Sequence, residues 1–405
     1  MLKVFLPFAA GYFLSYLYRV VNAVISADLV TDIHIGPSAL GLLTATYFIS
    51  FASFQLPLGV LLDRVGPRKT ESILLLFAAG GAYIFSQAQT LTGLIVGRAF
   101  IGFGVSACLM AAFKAYTMWF PREKWPMING FQMASGGLGA LAATSPVELM
   151  LGVTDWRTIF VVLSFLTLTV AILVFFVVPE KEGVAKGESL RGQLRGIREV
   201  FTSMQFWRAA PLTTMSQASF LSIQGLWSGP WLRDVARLDR SASASVLFMV
   251  AIAMIAGFIS LGSIAERLNR RGVPVITTAV AGMGTFLLVQ SVLTFGPASW
   301  AQAVWIVFGF FGTAGIISYA ALSQSFPVQL SGRVTTGINL LVFVTAFIAQ
   351  WAIGVIIEMW PIASDGSYAT QGYRAGFGMM LFIQIVALCW YFYAGRFINR
   401  DEVTG

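Results

Sequence analysis

Three basic residues, Arg19, Arg98 and Lys114, lie inside long apolar stretches of this 405-residue sequence, and two of them carry its most distinctive chemistry. Arg19 falls near the middle of the first apolar run, and Lys114 falls in the fourth run, five residues before Trp119. A charge near the centre of a bilayer costs about 2.5–3.5 kcal/mol on insertion scales, so ionisable residues there are functional candidates by default. We therefore treat Arg19 and Lys114 as candidate ligand-binding residues.

The acidic residues offer these cations no partner at the same depth. None of the 18 Asp and Glu falls at the centre of an apolar run, and Asp28, Glu148 and Glu358 lie only near run ends. Unpaired positive charge in a low-dielectric cavity favours an anion, because the ligand then supplies the missing counter-charge. The sequence therefore predicts a negatively charged substrate, with a carboxylate as the simplest choice.

Each cation also has a structural interpretation. Arg19 could bond backbone carbonyls or a neighbouring helix and fix only packing, whereas the long side chain of Lys114 could snorkel to the nearby interface. Arg98, near the opposite end of the same run as Lys114, is expected to make structural or gating bonds rather than to touch a substrate. A substrate role and a packing role both remain open for Arg19 and Lys114.

Neutral polar and aromatic side chains could complete such a site. Polar residues recur every three or four positions along the first run and so share one helix face: Tyr12, Tyr16, Arg19, Asn22 and Ser26. Candidates from later runs are polar residues within apolar stretches: Gln217, Gln224, Tyr319 and Asn339. Their alternative role is interhelical hydrogen bonding, which contributes about 0.6 kcal/mol on average in membranes.

The composition as a whole is that of a membrane protein. Hydrophobic residues make up 57% of the chain and charged residues 11%, with a mean hydropathy of +0.78. Soluble domains have about 25% charged residues, so a soluble enzyme, a disulfide scaffold and a disordered chain are excluded. The apolar runs are continuous rather than alternating, which excludes an outer-membrane barrel and predicts transmembrane helices. The runs fall near 4–29, 38–62, 71–90, 92–119, 127–150, 157–178, 209–228, 243–265, 273–295, 301–324, 334–359 and 375–395.

The runs divide into two sets of six around a polar stretch. Residues 179–208 are predicted to form a cytoplasmic linker between an N-terminal six-helix bundle (1–178) and a C-terminal six-helix bundle (209–405). Most of the 26 Lys and Arg lie in segments on the linker side, so the positive-inside rule places both termini in the cytoplasm. The same bias explains the net charge of +8 without a nucleic-acid partner.

Two loops indicate that the halves are repeats. Residues 59–69 and 262–272 both run from a glycine through an acid–arginine pair, Asp63-Arg64 and Glu266-Arg267, to further basic residues. The first loop resembles the signature between helices two and three of the major facilitator superfamily, and residues 98–104 resemble its fourth-helix motif. The resemblance implies an all-α membrane protein with twelve transmembrane helices in two six-helix repeats around a central cavity.

The nearest resemblance is to the organic-anion, or anion:cation symporter-like, branch of that family. Tyr16-Leu17-Tyr18-Arg19 and Lys114 are similar to the helix-one and helix-four patterns of this branch, whose basic residues grip a substrate carboxylate. The acid that often precedes the helix-one arginine is Tyr18 here, and the fourth-helix acid used for proton coupling is Val105. Gating contacts are expected from the repeated loops and the fourth-helix motif: Asp63, Arg64, Arg68, Arg98, Glu266 and Arg267.

These patterns predict a secondary active transporter that moves a small organic anion by alternating access. The expected partners are the anion, membrane lipid and a coupling ion, which could be a proton, sodium or a counter-anion. An exporter of hydrophobic or cationic compounds and a non-transporting membrane sensor are the alternatives. An enzyme is not expected, because His34 is the only histidine and no nucleophile, metal-ligand, cofactor or ATP-binding motif appears. The predicted location is the plasma membrane, which is the inner membrane in a bacterium.

Overall fold

The structure is a computed structural model that describes residues 2–121, 125–180, 190–363 and 365–404. The side chains at 56, 63, 125–127, 190–194, 328–329 and 397–404 lie outside that description. The described residues form helices joined by short loops, without a β-strand among them. Helices are expected, because a backbone in lipid must satisfy its hydrogen bonds within its own segment.

The helices of the N-terminal half correspond to the first six predicted runs. Several runs are divided between two helices, and the breaks at Phe54 and Thr144 closely precede prolines, which remove backbone donors. In order along the chain, these helices are α1 (Leu2–Val20), α2 (Asn22–Ile33), α3 (Pro37–Ser53), α4 (Gln55–Arg64), α5 (Pro67–Gln87), α6 (Leu91–Gly104), α7 (Cys108–Trp119), α8 (Trp125–Ala142), α9 (Ser145–Leu151) and α10 (Trp156–Val177).

The second half repeats this pattern after a helix in the predicted linker. That helix is α11 (Leu190–Thr202), and it packs against α18. The seventh run contains a π-helical turn, Ile223–Trp227, between α12 and α13. The remaining helices are α12 (Met204–Ser222), α13 (Ser228–Asp234), α14 (Arg240–Arg270), α15 (Val275–Phe295), α16 (Ala301–Gly312), α17 (Gly315–Gln324), α18 (Val328–Glu358) and α19 (Thr370–Thr404).

The helices have the lengths that a bilayer requires. Seven helical segments of the described chain are long and apolar enough to cross a membrane, and α1 with α2, which meet at 48°, form an eighth. The second, third, fifth and seventh runs are broken, shorter or more polar, but each occupies the place in the chain where the sequence predicts a span. The predicted division at 178 and 208 remains a prediction.

The fourth and tenth runs break at equivalent places in the two halves. Helix α6 ends at Gly104 and α16 ends at Gly312, and a short turn then leads into α7 or α17. In the first half, Gly102 lies against the backbone of Tyr47 so closely that a β-carbon would collide with it. Helix α6 can therefore pack closely on α3, and the turn after it faces the middle of the protein.

The two halves meet along α3 with α18 and along α8 with α14. At one end of this interface Arg240 bonds Asp28 and Glu148, with nitrogen–oxygen distances from 2.7 to 2.9 Å. Charge-assisted bonds of this kind are about twice as strong as neutral hydrogen bonds. We call these three residues the Arg240 clasp, because they join α14 of the second half to α2 and α9 of the first half.

Candidate functional site

A cavity of about 300 Å³ lies between the two halves. Its wall includes side chains of α1, α3, α7 and α8 from the first half and of α12, α17 and α18 from the second. Most of these side chains are apolar and a few are polar, as is usual for a small-molecule site. Residues predicted from the sequence form part of the wall: Tyr16, Arg19, Gln217, Tyr319 and Asn339.

Aromatic rings rather than acids surround the Arg19 guanidinium. Its Cζ atom lies 4.4 Å from the centre of the Tyr16 ring and 5.2 Å from that of Phe343. The rings of Tyr47 and Phe51 follow at 5.9 Å and 5.7 Å. Within the described residues, no carboxylate lies within ion-pair distance of this guanidinium. Ring faces attract a cation but carry no full negative charge, so the site keeps a net positive charge.

Arg19 reaches the cavity because contacts on the opposite side of α1 hold the end of this helix in place. Arg98 of α6 is 1% exposed, and its Nη1 donates a 2.7 Å hydrogen bond to the carbonyl oxygen of Tyr18. The Tyr18 hydroxyl shares a 2.8 Å hydrogen bond with Thr167 of α10. These two bonds fix the last turn of α1 on the side away from the cavity, just before the bend into α2. Arg98 thus has the structural contacts that the sequence predicts for it, while its gating role remains a prediction.

A hydrogen bond crosses the cavity between the halves. Asn339 of α18 donates from Nδ2 to Oε1 of Gln55, a separation of 3.2 Å. The amide nitrogen of Gln55 in turn lies 3.3 Å from the carbonyl oxygen of Ser106, in the turn between α6 and α7. Sequence reasoning did not select Gln55, although a polar residue within the run 38–62 meets the criterion that selected Gln217. It also missed Phe51 and Phe343, because nothing distinguishes a cavity phenylalanine from a lipid-facing one in sequence.

Two of the predicted substrate residues lie elsewhere. Lys114 is partly exposed and is not among the residues that line the cavity, although its neighbour Phe113 is. Gln224 lies in the π-helical turn, buried and also outside the lining. Gln217 lines the cavity but donates a 3.0 Å hydrogen bond to the carbonyl oxygen of Gly312, which is the packing role considered for it. Substrate contact by Lys114 and Gln224 therefore stays a prediction without support from the cavity geometry.

One acid near the end of a predicted run, Glu71, is buried in the structure. Helix α5 begins at Pro67, earlier than the predicted run, so Glu71 lies inside the helix and is 0% exposed. Neither carboxyl oxygen has a hydrogen bond that meets normal geometry. The predicted run begins at this charged residue, whereas the helix begins earlier, at Pro67, and directs the Glu71 side chain into the protein. Glu71 does not line the cavity.

The gating candidates of the first loop bond within the N-terminal half. Arg68 Nη1 donates to the carbonyl oxygen of Val178 at 3.2 Å, and Lys69 Nζ lies 2.5 Å from Oε1 of Glu180. The Lys69 hydrogen bond lowers the pKa of the exposed Glu180 carboxyl below its usual value. These contacts join the start of α5 to the segment after α10. The side chain of Asp63 is outside the described part of the chain.

The corresponding loop of the second half has only local contacts. Glu266 Oε1 lies 2.5 Å from Nη2 of Arg270, one turn further along α14. Arg64 and Arg267, the arginines that follow the two repeated acids, are both exposed. In this conformation the described loop residues make no bond across the two halves, in contrast to the Arg240 clasp at the other end. A gating role for Arg64, Arg68, Glu266 and Arg267 remains a prediction.

The architecture and the sequence lead to one family. The family model described as Major Facilitator Superfamily matches residues 8–350. The chain belongs to the Major Facilitator Superfamily. The solved structure of a bacterial homologue of the human lysosomal transporter Spinster, inward-facing and unoccupied, has the same fold, with a TM-score of 0.79. It is 16% identical, and the match covers 98% of this chain and 97% of that one.

Curated relatives in the Major Facilitator Superfamily match parts of the chain. A probable sulfoacetate transporter, SauU of Cupriavidus necator, is 29% identical over 41% of this chain. The nitrate/nitrite transporter NrtP of Nostoc punctiforme is 24% identical over 44% of this chain. The matched region spans 38% and 36% of the length of these two relatives, which is well under half.

Membership of the Major Facilitator Superfamily confirms several predictions. The predicted family relationship is confirmed, as is the all-α fold with twelve transmembrane helices in two repeats. The chain thus belongs to a family of multi-pass membrane transporters rather than to a family of enzymes. The cavity between its halves is therefore the candidate transport site.

Proposed function

We propose that the protein is a secondary active transporter that moves a small organic anion, and specifically a carboxylate, across the membrane by alternating access. The observation that carries the proposal is the position of Arg19. Its guanidinium lines the central cavity within a cage of aromatic rings and has no carboxylate partner among the described residues. A carboxylate matches the planar fork of an arginine and supplies the missing charge.

The surroundings of Arg19 increase the attraction for an anion. Two opposite unit charges 4 Å apart attract by about 1 kcal/mol in water and by about 4 kcal/mol at an effective dielectric constant of 20. Arg19 is 8% exposed and is flanked by aromatic rings, so its field is poorly screened by water. The Arg19 Nε is buried without a hydrogen bond. An anion that reaches the cavity would therefore gain more from this cation than from one at the surface.

The size and lining of the cavity restrict the substrate. A volume of about 300 Å³ is at the lower end of the range for small-molecule sites, about 300–1,000 Å³. Apolar side chains such as Leu109, Met110 and Val342 form much of the wall beyond Arg19. A small anion with one carboxylate and a short carbon skeleton fits both the charge and the apolar wall. SauU is named as a probable transporter of sulfoacetate and NrtP as a transporter of nitrate and nitrite, and these substrates are also small anions.

The direction of opening follows from the clasp and the predicted topology. The Arg240 clasp joins the halves at one end, and the described gating loops at the other end make no bond across the halves. For a protein in the plasma membrane, the positive-inside rule predicts that both termini and these loops lie in the cytoplasm. This conformation would then be closed outward, and breaking the clasp would accompany outward opening. A transmembrane gradient, rather than ATP, would drive the cycle.

The alternative of a cation exporter has less support from the geometry. Such a protein is expected to have an acid in its cavity, but the charged side chain of the described lining is an arginine. The buried acid Glu71 lies behind the wall instead of in it. A cation in this cavity would be repelled by Arg19 at short distance.

Uptake into proteoliposomes tests the proposal. Wild-type protein should take up members of a panel of labelled small carboxylates and should not take up organic cations of the same size. Arg19→Ala should abolish this uptake, whereas Arg396→Ala, which removes an exposed arginine near the end of α19, should leave it unchanged. Uptake of cations without acids would refute the proposal, as would normal anion uptake by Arg19→Ala.

A further inference from the structure

The carboxyl group of Glu71 is the one buried acid of the described helices that has neither an ion pair nor a hydrogen bond of normal geometry. It lies on α5 in the second turn, 0% exposed. An isolated ionised carboxylate in an apolar interior costs many kcal/mol, and such a group takes up a proton instead. The packing seen here is therefore compatible with the neutral, protonated form of Glu71 and not with the ionised form.

A dedicated space holds this carboxyl group. Its Oε1 lies over the α-carbon of Gly11 on α1, where a β-carbon would collide with it, and the thiol of Cys108 on α7 borders the same space. We call this space the Glu71 pocket. Glycine at position 11 is what leaves room for the acid, and the thiol is only a weak hydrogen-bond donor. The pocket thus accommodates a carboxyl group without supplying a charge or a strong donor to it.

The Glu71 pocket lies directly behind the cavity wall. Gly11 is followed by Tyr12, and Cys108 is followed by Leu109, and both of these neighbours line the cavity. Separation of α1 from α7 would expose the carboxyl group to the cavity. Alternating access rocks one six-helix half against the other, and exposure of Glu71 needs in addition a separation of α1 from α7 within the first half. Glu71 is therefore placed to exchange a proton with water in one conformation and to be sealed in another.

The groups around Glu71 do not neutralise it. On α7, the titratable groups that interact with it are Cys108 and the Tyr116 hydroxyl, which donates to Gln132. Lys114, on the same helix, is partly exposed. On α6, Arg98 bonds the Tyr18 carbonyl, and on α10, Arg157 pairs with Asp32 of α2. At the start of α5, the basic side chains of Arg68 and Lys69 pair with Glu180. On α4, Arg64 is exposed and the Asp63 side chain is outside the described residues.

We propose that Glu71 is the proton-binding site that couples transport of the anion to a proton gradient. This inference rests on the proposed function, because it assigns the coupling ion of the same cavity. The bound anion brings a negative charge next to Arg19, whereas the protonated Glu71 carries no charge. The protein with both the anion and the proton bound can therefore close. When α1 and α7 separate, the carboxyl O–H bond breaks, the proton passes to water, and the carboxylate is left hydrated. One proton accompanies one anion.

Proteoliposomes with an alkaline interior test this proposal. The probes are labelled lactate, benzoate and sulfoacetate, each added outside with and without a gradient of one pH unit. Coupling of one proton to one anion predicts accumulation of a monovalent acid by about tenfold per pH unit. Glu71→Gln, which keeps the neutral form permanently, should exchange labelled for unlabelled acid but should not accumulate it. The matched control Glu199→Gln changes an exposed acid on α11 and should accumulate as the wild type does.

The outcomes separate this inference from the proposed function. If the wild type exchanges none of the acids even without a gradient, the anion proposal fails. If it exchanges them but the gradient changes nothing, or if Glu71→Gln accumulates like the wild type, only the proton assignment fails. Should Glu71→Gln be missing from the membrane, Glu71→Asp retains a titratable group that is withdrawn from Gly11. It should still accumulate acid but with a shifted pH dependence, and an unchanged pH profile would overturn the assignment.

Discussion

Arg98 donates a 2.7 Å hydrogen bond to the carbonyl oxygen of Tyr18, the residue that directly precedes Arg19. One buried arginine thus holds the backbone that positions the other. Arg98 faces the interior of the N-terminal half, against Phe85 and Phe160, while Arg19 faces the cavity. The two intramembrane arginines therefore have separate tasks, one in positioning and one in the proposed binding of the anion.

Removal of the Arg98 hydrogen bond should weaken anion binding without contact between Arg98 and the anion. Arg98→Met leaves the Tyr18 carbonyl unsatisfied, which costs about 1–3 kcal/mol, and frees the end of α1. We expect the KM for the transported acid to rise about tenfold. Arg157→Met, which also loses a bond to a backbone carbonyl but lies in the first turn of α10 and outside the cavity lining, should leave KM unchanged. Equal KM values in Arg98→Met and the wild type would contradict the positioning role.

The ring of Phe343 should contribute to the site from the opposite half. Its centre lies 5.2 Å from Arg19 Cζ and 4.2 Å from the stacked ring of Phe51. Cation–π and ring–ring contacts each contribute about 0.5–2 kcal/mol, so Phe343→Ala should raise KM several-fold. Phe382→Ala changes a ring that is 66% exposed on the lipid side and should not alter uptake. A KM that is unaffected by Phe343→Ala would show that the cage plays no part in binding.

Loss of the Arg240 clasp should favour opening at that end. Ser145 lies beside it and bonds the carbonyl oxygen of Ala244 across the two halves at 3.2 Å. A cysteine at this position, in a background with Cys389→Ser, should react faster with an impermeant maleimide when Arg240→Ala is added. Arg237→Ala breaks an exposed pair within the second half only, so it should not change the labelling rate. Identical labelling rates in all three proteins would contradict the assignment of the clasp.

Asp155 should stabilise α10 in a pH-dependent manner. Its side chain caps the helix by accepting a 2.7 Å hydrogen bond from the Thr158 backbone, and this bond lowers the Asp155 pKa. A lowered pKa means that the stabilisation is present above about pH 3.9, the unfolded value, and is lost as the pH falls through the folded pKa. Asp155→Ala should cost about 0.5–2 kcal/mol at pH 7. Thermal unfolding in detergent should show this difference at pH 7 and a smaller one as the pH falls below about 3.9. A difference that does not shrink with falling pH would contradict the mechanism.

The fold could be predicted from sequence because lipid imposes simple rules. Continuous apolar runs of about 20 residues have few structures available to them, and the repeated loops at 59–69 and 262–272 show the internal symmetry. The sequence gives least guidance where a helix bears apolar side chains on all sides. Lys114 shows this, because the run around it gives no sign of which face meets the cavity, and Phe113 rather than Lys114 lines it.

Two further features depend on contacts that a single run does not reveal. Glu71 was assigned to the edge of a run because it is charged, yet Gly11 and Cys108, which are distant in sequence, provide the space that buries it. Phe51 and Phe343 come together only when the two halves meet. By contrast, Arg19 could be selected from sequence alone, because a guanidinium near the middle of an apolar run is energetically costly whichever side of the helix it lies on.

Binding of a labelled carboxylate to the purified protein tests the central claim most directly. The wild type and Arg19→Gln would be compared by equilibrium binding of the acid that is taken up best, with Arg396→Gln as the matched control. Loss of a charge-assisted pair in the cavity should weaken binding by about ten- to a hundredfold in Arg19→Gln and not in the control. Equal affinities in the wild type and Arg19→Gln would contradict the account, because the anion would then be held by something other than this guanidinium.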